Sequence, residues 1–116
     1  MKKIIRNALN DARITSLIDD NFYLMIKPES VKCDTYITYN ILNHKGKQFA
    51  NDKRLLDEYL IQFDIYSKGN YEDIQLALEE VLLENDFIFV SDFEIYEDET
   101  KLFSYKARYR YYKNKN

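Results

Sequence analysis

Apolar residues near the start of the chain recur at three- and four-residue spacing: Ile4, Ile5, Ala8, Leu9 and Ala12, continued by Ile14, Leu17 and Ile18. That period predicts helix over residues 2–19, in one piece or in two, because Asn10-Asp11 has the chemistry of an internal N-cap. Asp19-Asp20-Asn21 ends it, and residues 22–27 read as a short strand closed by Pro28, which has no N–H for a ladder. From Cys33 to Leu42 the period falls to two, with Thr35, Ile37, Tyr39 and Ile41 on one face. Residues 56–66 repeat the alternation, placing Tyr59, Ile61, Phe63 and Ile65 together. Between them, residues 43–54 are polar apart from Phe49 and Ala50, and read as a loop far longer than an ordinary hairpin connection.

Ser67-Lys68-Gly69-Asn70 is a turn, and Asn70 is placed to cap the next helix. Glu72 and Asp73 sit in its first turn, where the helix dipole favours negative charge. Tyr71, Ile74, Leu78, Val81 and Leu82 form its apolar stripe, and Asn85-Asp86 stops it. Residues 87–96 and 101–112 are two strands joined by the acidic turn Glu97-Asp98-Glu99-Thr100. The predicted order is α-β-β-β-α-β-β in one domain covering residues 1–116. Consecutive strands on short connections imply an α+β fold, an antiparallel sheet of about four to five strands with two helices on one face.

Composition removes most catalytic chemistries. Of 116 residues, 17 are basic and 20 acidic, a formal charge of −3. A single cysteine, Cys33, and a single histidine, His44, leave no disulfide framework and no His/Cys metal site. Cys33 opens a strand and reads as a small hydrophobe. His44 has no nucleophile or orienting carboxylate at a recognised spacing, so it reads as a solvent-facing loop residue. Gly46 and Gly69 match no phosphate-binding loop. Glu97, Asp98 and Glu99 lack the alternating spacing of a calcium loop and read as a solvated turn. Charged residues interrupt the first apolar stretch, and no run is long enough to span a membrane, which predicts a soluble intracellular chain with no membrane partner.

The last strand has more character. Phe103, Tyr105, Ala107, Tyr109 and Tyr111 share one face, while Ser104, Lys106, Arg108 and Arg110 share the other. Interleaved aromatic and basic residues are a feature of RNA-binding sheets, but there both kinds cooperate on the exposed face. Here alternation separates them, so the aromatic face is expected to pack on the helices. A small nucleic-acid-binding module using the basic face is the alternative function.

Several segments together resemble one family. They are Tyr36-Ile37-Thr38-Tyr39, Phe49-Ala50-Asn51-Asp52, the run from Tyr59 to Lys68 containing Gln62-Phe63-Asp64-Ile65-Tyr66-Ser67-Lys68, the run from Glu94 to Leu102, and Arg108-Tyr109-Arg110-Tyr111. They resemble the tail-completion proteins (tail-to-head joining or tail terminator proteins) of long-tailed phages and prophages of Gram-positive bacteria. The sequence departs from that family at Tyr66, where Trp is frequent, and at Ser104, where His stands.

The resemblance implies a structural virion protein, not an enzyme, with no cofactor and no small-molecule substrate. It implies a homohexameric ring that caps the tail tube and joins it to the head connector. The partners would be further copies of itself, the tail-tube protein and the connector proteins. The location would be the tail–head junction of the virion, and the host bacterial cytoplasm during assembly.

The sequence supplies candidate contact residues for such a ring. They are His44, Lys45, Lys47, Gln48, Phe49, Asn51, Asp52 and Lys53 in the expected loop, Glu97, Asp98 and Glu99 in the acidic turn, and Lys106, Arg108 and Arg110 on the last strand. The loop is expected to be mobile in a free monomer and to order on a neighbour. Charge is also unevenly spread. Residues 69–100 hold eleven acids and no Lys or Arg, while the rest holds all 17 bases and nine acids. A head-to-tail contact between an acidic edge and a basic edge follows as an expectation.

Overall fold

The computed structural model describes residues 1–51 and 53–114. Three helices and five strands follow in the order α1 (Lys2–Leu9), α2 (Ala12–Ile18), β1 (Phe22–Leu24), β2 (Tyr36–Ala50), β3 (Lys53–Ser67), α3 (Glu72–Glu84), β4 (Ile88–Glu97) and β5 (Leu102–Asn114). The α+β class and the order of the long elements are as expected. Two particulars differ.

The first is the helix count. The break at Asn10-Asp11 separates two helices, because the Asp11 side chain caps α2 by accepting from the Arg13 N–H at 2.9 Å. The second is strand direction. The sheet runs β1-β2-β3-β5-β4 and is mixed, since β1 lies parallel to β2 while every other pair is antiparallel. Met25 takes φ 66 just after β1. The chain then needs residues 25–35 to return to the end from which β2 starts, so no hairpin joins the two strands.

The predicted faces are real where helices cover them. Ile37 opposes Ile65, Tyr39 opposes Phe63, and Ile41 opposes Ile61, while β5 sets Tyr105, Ala107 and Tyr109 against Ile65, Phe63 and Ile61. This layer is buried under Ile5, Ala8 and Leu9 of α1, Ile14 and Ile18 of α2, and Ile74, Leu78, Val81 and Leu82 of α3. Phe63 sits at its centre, edge-on to Phe87 at 6.0 Å and to Tyr109 at 5.8 Å. The N-cap of α3 is Tyr71, not Asn70, but the Asn70 side chain just ahead of it accepts from the Glu72 N–H at 2.8 Å. Arg13 clamps α2 to α3, donating to Glu80 at 2.8 Å and Glu84 at 2.6 Å while holding Asp11 at 3.0 Å.

Residues 43–54 are not a loop. β2 continues to Ala50 and β3 begins at Lys53, so the two strands pair almost to the turn. Asn51 takes φ 51 there, a left-handed conformation that asparagine tolerates better than most residues. Alternation fails to announce this part because of register. A shift between Ile41 and Asn43 leaves Leu42 unopposed, and two more shifts lie between Gly46 and Phe49. Each such bulge reverses which face a side chain takes.

Three outcomes test this packing. Phe63→Ala should cost about 3–5 kcal/mol in chemical denaturation, the usual loss for a buried phenylalanine. Ser104 is fully buried and its hydroxyl finds no hydrogen-bond partner among the described residues, so Ser104→Ala should be neutral or stabilising. The Arg13 side chain holds the Asp11 carboxyl down at about 2, and also lowers that of Glu84. Their contribution to stability is present above the ordinary carboxylate range, and is lost as pH falls through the depressed values. Arg13→Leu should therefore flatten the acid limb of the stability–pH profile between about pH 4 and pH 2.

Candidate functional site

The outer parts of β2 and β3, residues 43–50 and 53–60, form a two-stranded ribbon at one end of the sheet. With few apolar side chains to hold it, charge takes over. Glu58 is 8% exposed and meets Lys45 at 3.2 Å, Lys47 at 3.8 Å and Arg110 at 3.2 Å, while the Tyr112 hydroxyl donates to it at 2.9 Å. The Tyr112 bond, and then Lys45, hold its carboxyl below the usual range against the opposing effect of burial. On the opposite face Asp57, 3% exposed, takes Arg54 at 2.9 Å and His44 at 3.3 Å. His44 also stacks on Tyr59, rings 4.1 Å apart and 10° from parallel. It is a ribbon residue, and the solvent-facing loop expected for it is replaced by a strand.

Five more of the predicted contact residues gather at or near the tip. Lys47, Gln48, Asn51 and Lys53 are exposed there, and Phe49 is 65% exposed. Asp52 lies outside the described residues. Gly46 permits the close packing behind them, because a Cβ at that position would run into the Arg54 side chain.

The predicted basic face of β5 is present but engaged. Lys106 bonds Asp64 at 3.0 Å and the Tyr66 hydroxyl at 3.4 Å, Arg108 donates to Gln62 at 3.1 Å, and Arg110 meets Glu58. Burial would lower the Lys106 pKa, but its bond to Asp64 and the nearby charges outweigh this and raise it. Tyr36 stacks on Tyr66 at 4.8 Å, and burial lifts its phenol to about 12. These contacts make the face a cross-strand ladder with its cations already answered. Glu97, Asp98 and Glu99 lie at the β4–β5 turn, where the Lys101 N–H closes back on the Glu97 carbonyl at 2.8 Å. Asp98 and Glu99 are exposed, as expected. Among the described residues no group of His, Cys, Asp and Glu is placed to hold a metal ion. Nor is any helix long and apolar enough to cross a membrane. Cys33 is half-buried, and burial pushes its thiol up.

Sequence reasoning missed the far edge of the sheet. β4 pairs only with β5, and its outer side has no strand among the described residues. Ile88 (48%), Val90 (39%), Phe93 (42%) and Ile95 (43%) are all exposed along it. Ile88, Phe93 and Ile95 oppose Arg110, Lys106 and Ser104 of β5, on the sheet face that the helices do not cover. A shift between Phe89 and Ser91 adds a bulge at Val90. Beside β4, an open cleft of about 610 Å³ is lined by Asn70, Tyr71, Glu72, Leu76, Glu94 and Phe103. Burial first, and then a hydrogen bond to Glu94, lift the Tyr71 phenol to about 12. β2 and β4 thus lie on opposite sides of the central strand β3, the ribbon part of β2 carrying Lys45 and Lys47 and β4 carrying Asp92, Glu94 and Glu97.

A chain from the solved virion of a native gene transfer agent particle is similar in fold, with a TM-score of 0.68 over 96% of this chain and 91% of that chain at 10% identity. No protein-family profile matches the sequence, and no curated protein matches it.

Because Glu58 ties β2, β3 and β5 together, Glu58→Gln should loosen the ribbon and spare the core. Amide exchange at residues 43–50 should accelerate roughly tenfold, equivalent to about 1.4 kcal/mol for one net polar interaction, while the amides of residues 61–65 stay protected.

Proposed function

We propose that this chain is a structural protein of a phage-like virion, which caps the tail tube and joins it to the head connector as a ring of six copies. The observation that carries the reading is the full-length likeness of fold to a chain of a virion particle. The segments that resemble tail-completion proteins agree with it. They include the central strand β3, whose Asp64 and Tyr66 anchor the ladder to β5.

The surface supports a role in assembly. β4 carries exposed apolar residues and acids, and the β2–β3 ribbon carries Lys45, Lys47, Lys53 and Arg54. A contact between two unlike patches is heterologous, and repeats until rotation closes a ring. On this reading the partners are further copies, the tail-tube protein and the connector proteins. The protein resides at the tail–head junction and in the bacterial cytoplasm before assembly, and it is not an enzyme. Binding to nucleic acid through β5 is less well supported, since Lys106, Arg108 and Arg110 each already answer a group on β3.

Light scattering with purified tail-tube protein tests the proposal. The expected result is a species with the mass of six 14.0 kDa copies, and tubes whose growth stops when it is added. A chain that stays monomeric with tube protein present, and leaves tube growth unchanged, would contradict it.

A further inference from the structure

Within that reading, which it presupposes, we infer that the free edge of β4 is the docking surface for a second copy of this chain, and that the segment it receives is the neighbour's β2–β3 ribbon. Three observations meet here.

The first is that β4 is a long free edge with no Lys or Pro to blunt it, although a bulge interrupts it at Val90. Native sheets blunt their edges with lysines, prolines or very short strands. The opposite edge follows that practice: β1 has three residues, and beyond it β2 carries Lys45 and Lys47. β4 has ten residues and no Lys, Arg or Pro, and shows Ile88, Val90, Phe93 and Ile95 to solvent. Exposed apolar surface of this kind marks an interaction site.

The second is charge. Asp92, Glu94 and Glu97 lie on β4, with Glu99 in the turn beyond it, and no base stands anywhere in residues 69–100. Two β4 edges brought together would set these carboxylates against one another, which disfavours a two-fold pairing of β4 with itself. The ribbon has the opposite character, with Lys45, Lys47, Lys53 and Arg54 around the tip. Glu58 and Asp57 answer some of these cations, but Lys53 is exposed and Lys47 stands 3.8 Å from Glu58.

The third is shape. Phe49, near the tip, lies over Gly46 with two-thirds of its surface in solvent, and β4 offers Phe93 and Ile95 as apolar partners. β2 also keeps a free outer edge beyond Tyr39, where its pairing with β1 stops. Because β4 and this edge lie on opposite sides of one sheet, no subunit satisfies itself, and each contact leaves one unused patch of each kind for the next copy.

A charge swap decides the matter. K47E/K53E makes the ribbon acidic, and E94K/E97K makes β4 basic; Lys47, Lys53 and Glu94 are exposed and Glu97 is half-buried. Each variant alone should remain monomeric under conditions in which the wild-type chain assembles. An equimolar mixture should regain the wild-type mass, since an even-numbered ring of alternating variants restores complementary charge at every contact. Phe49→Ser supplies a second reading that leaves charge untouched, and should raise the concentration for half-assembly by about tenfold. Circular dichroism of each variant confirms folding. If the wild-type chain assembles and the variants do so equally well alone, or if their mixture stays monomeric, the β4–ribbon contact is wrong although a ring stands. If the wild-type chain does not assemble at all, both the contact and the ring fall.

Discussion

The central strands are longer than the helices that cover them, and most of the molecule follows from that mismatch. β2 and β3 have 15 residues each. At about 3.4 Å per residue such strands reach roughly 50 Å, and the long axis of the protein is 52 Å. α3, the longest helix, has 13 residues, or about 20 Å at the usual helical rise. The helices therefore shield only part of the sheet. Where they lie, β2, β3 and β5 present Ile, Phe and Tyr at every second position; beyond them a ribbon continues into water with no core to face.

A ribbon without an apolar face needs another source of order, and β3 supplies it. Glu58 and Asp64 point to one face and Asp57 to the other, and between them they engage Lys45, Lys47, Arg54, His44, Lys106 and Arg110 from three strands. Surface ion pairs contribute little singly, but Asp57 and Glu58 are largely buried and each takes more than one partner. The acids of β3 are thereby held by cations of neighbouring strands, whereas Asp92, Glu94 and Glu97 of β4 meet the hydroxyls of Tyr105, Tyr71 and Thr100. A chain whose net charge is only −3 is in consequence strongly polarised across its sheet.

The legible parts of the sequence were those where burial imposes a period. Ile37, Tyr39 and Ile41, Ile61, Phe63 and Ile65, and the α3 stripe could be assigned to the core because each must face the helices. The Asp11 cap was legible for a local reason, a side-chain acceptor just ahead of a helical run, and Asn70 supplies such an acceptor one residue before the cap of α3. Residues 43–54 were misread because three register shifts scramble their faces, and because a strand outside the core has no reason to alternate. The parallel placing of β1 depends on a long-range pairing of three residues with β2, for which three residues of sequence hold no signal. The candidate surface was half legible. Its charges were plain in the sequence, but the exposure of Ile88, Phe93 and Ile95 depends on the bulge at Val90, which sets all three on the uncovered face of an edge strand.

Backbone amide exchange along β4, compared between dilute and concentrated protein, probes the idea of an assembling edge most directly. If a neighbouring ribbon covers this edge, amides in residues 88–97 should become protected as concentration rises, together with those near Phe49, while the buried amides of β3 stay unchanged. Exchange along β4 that is the same at both concentrations, in a sample whose mass shows assembly, would contradict it.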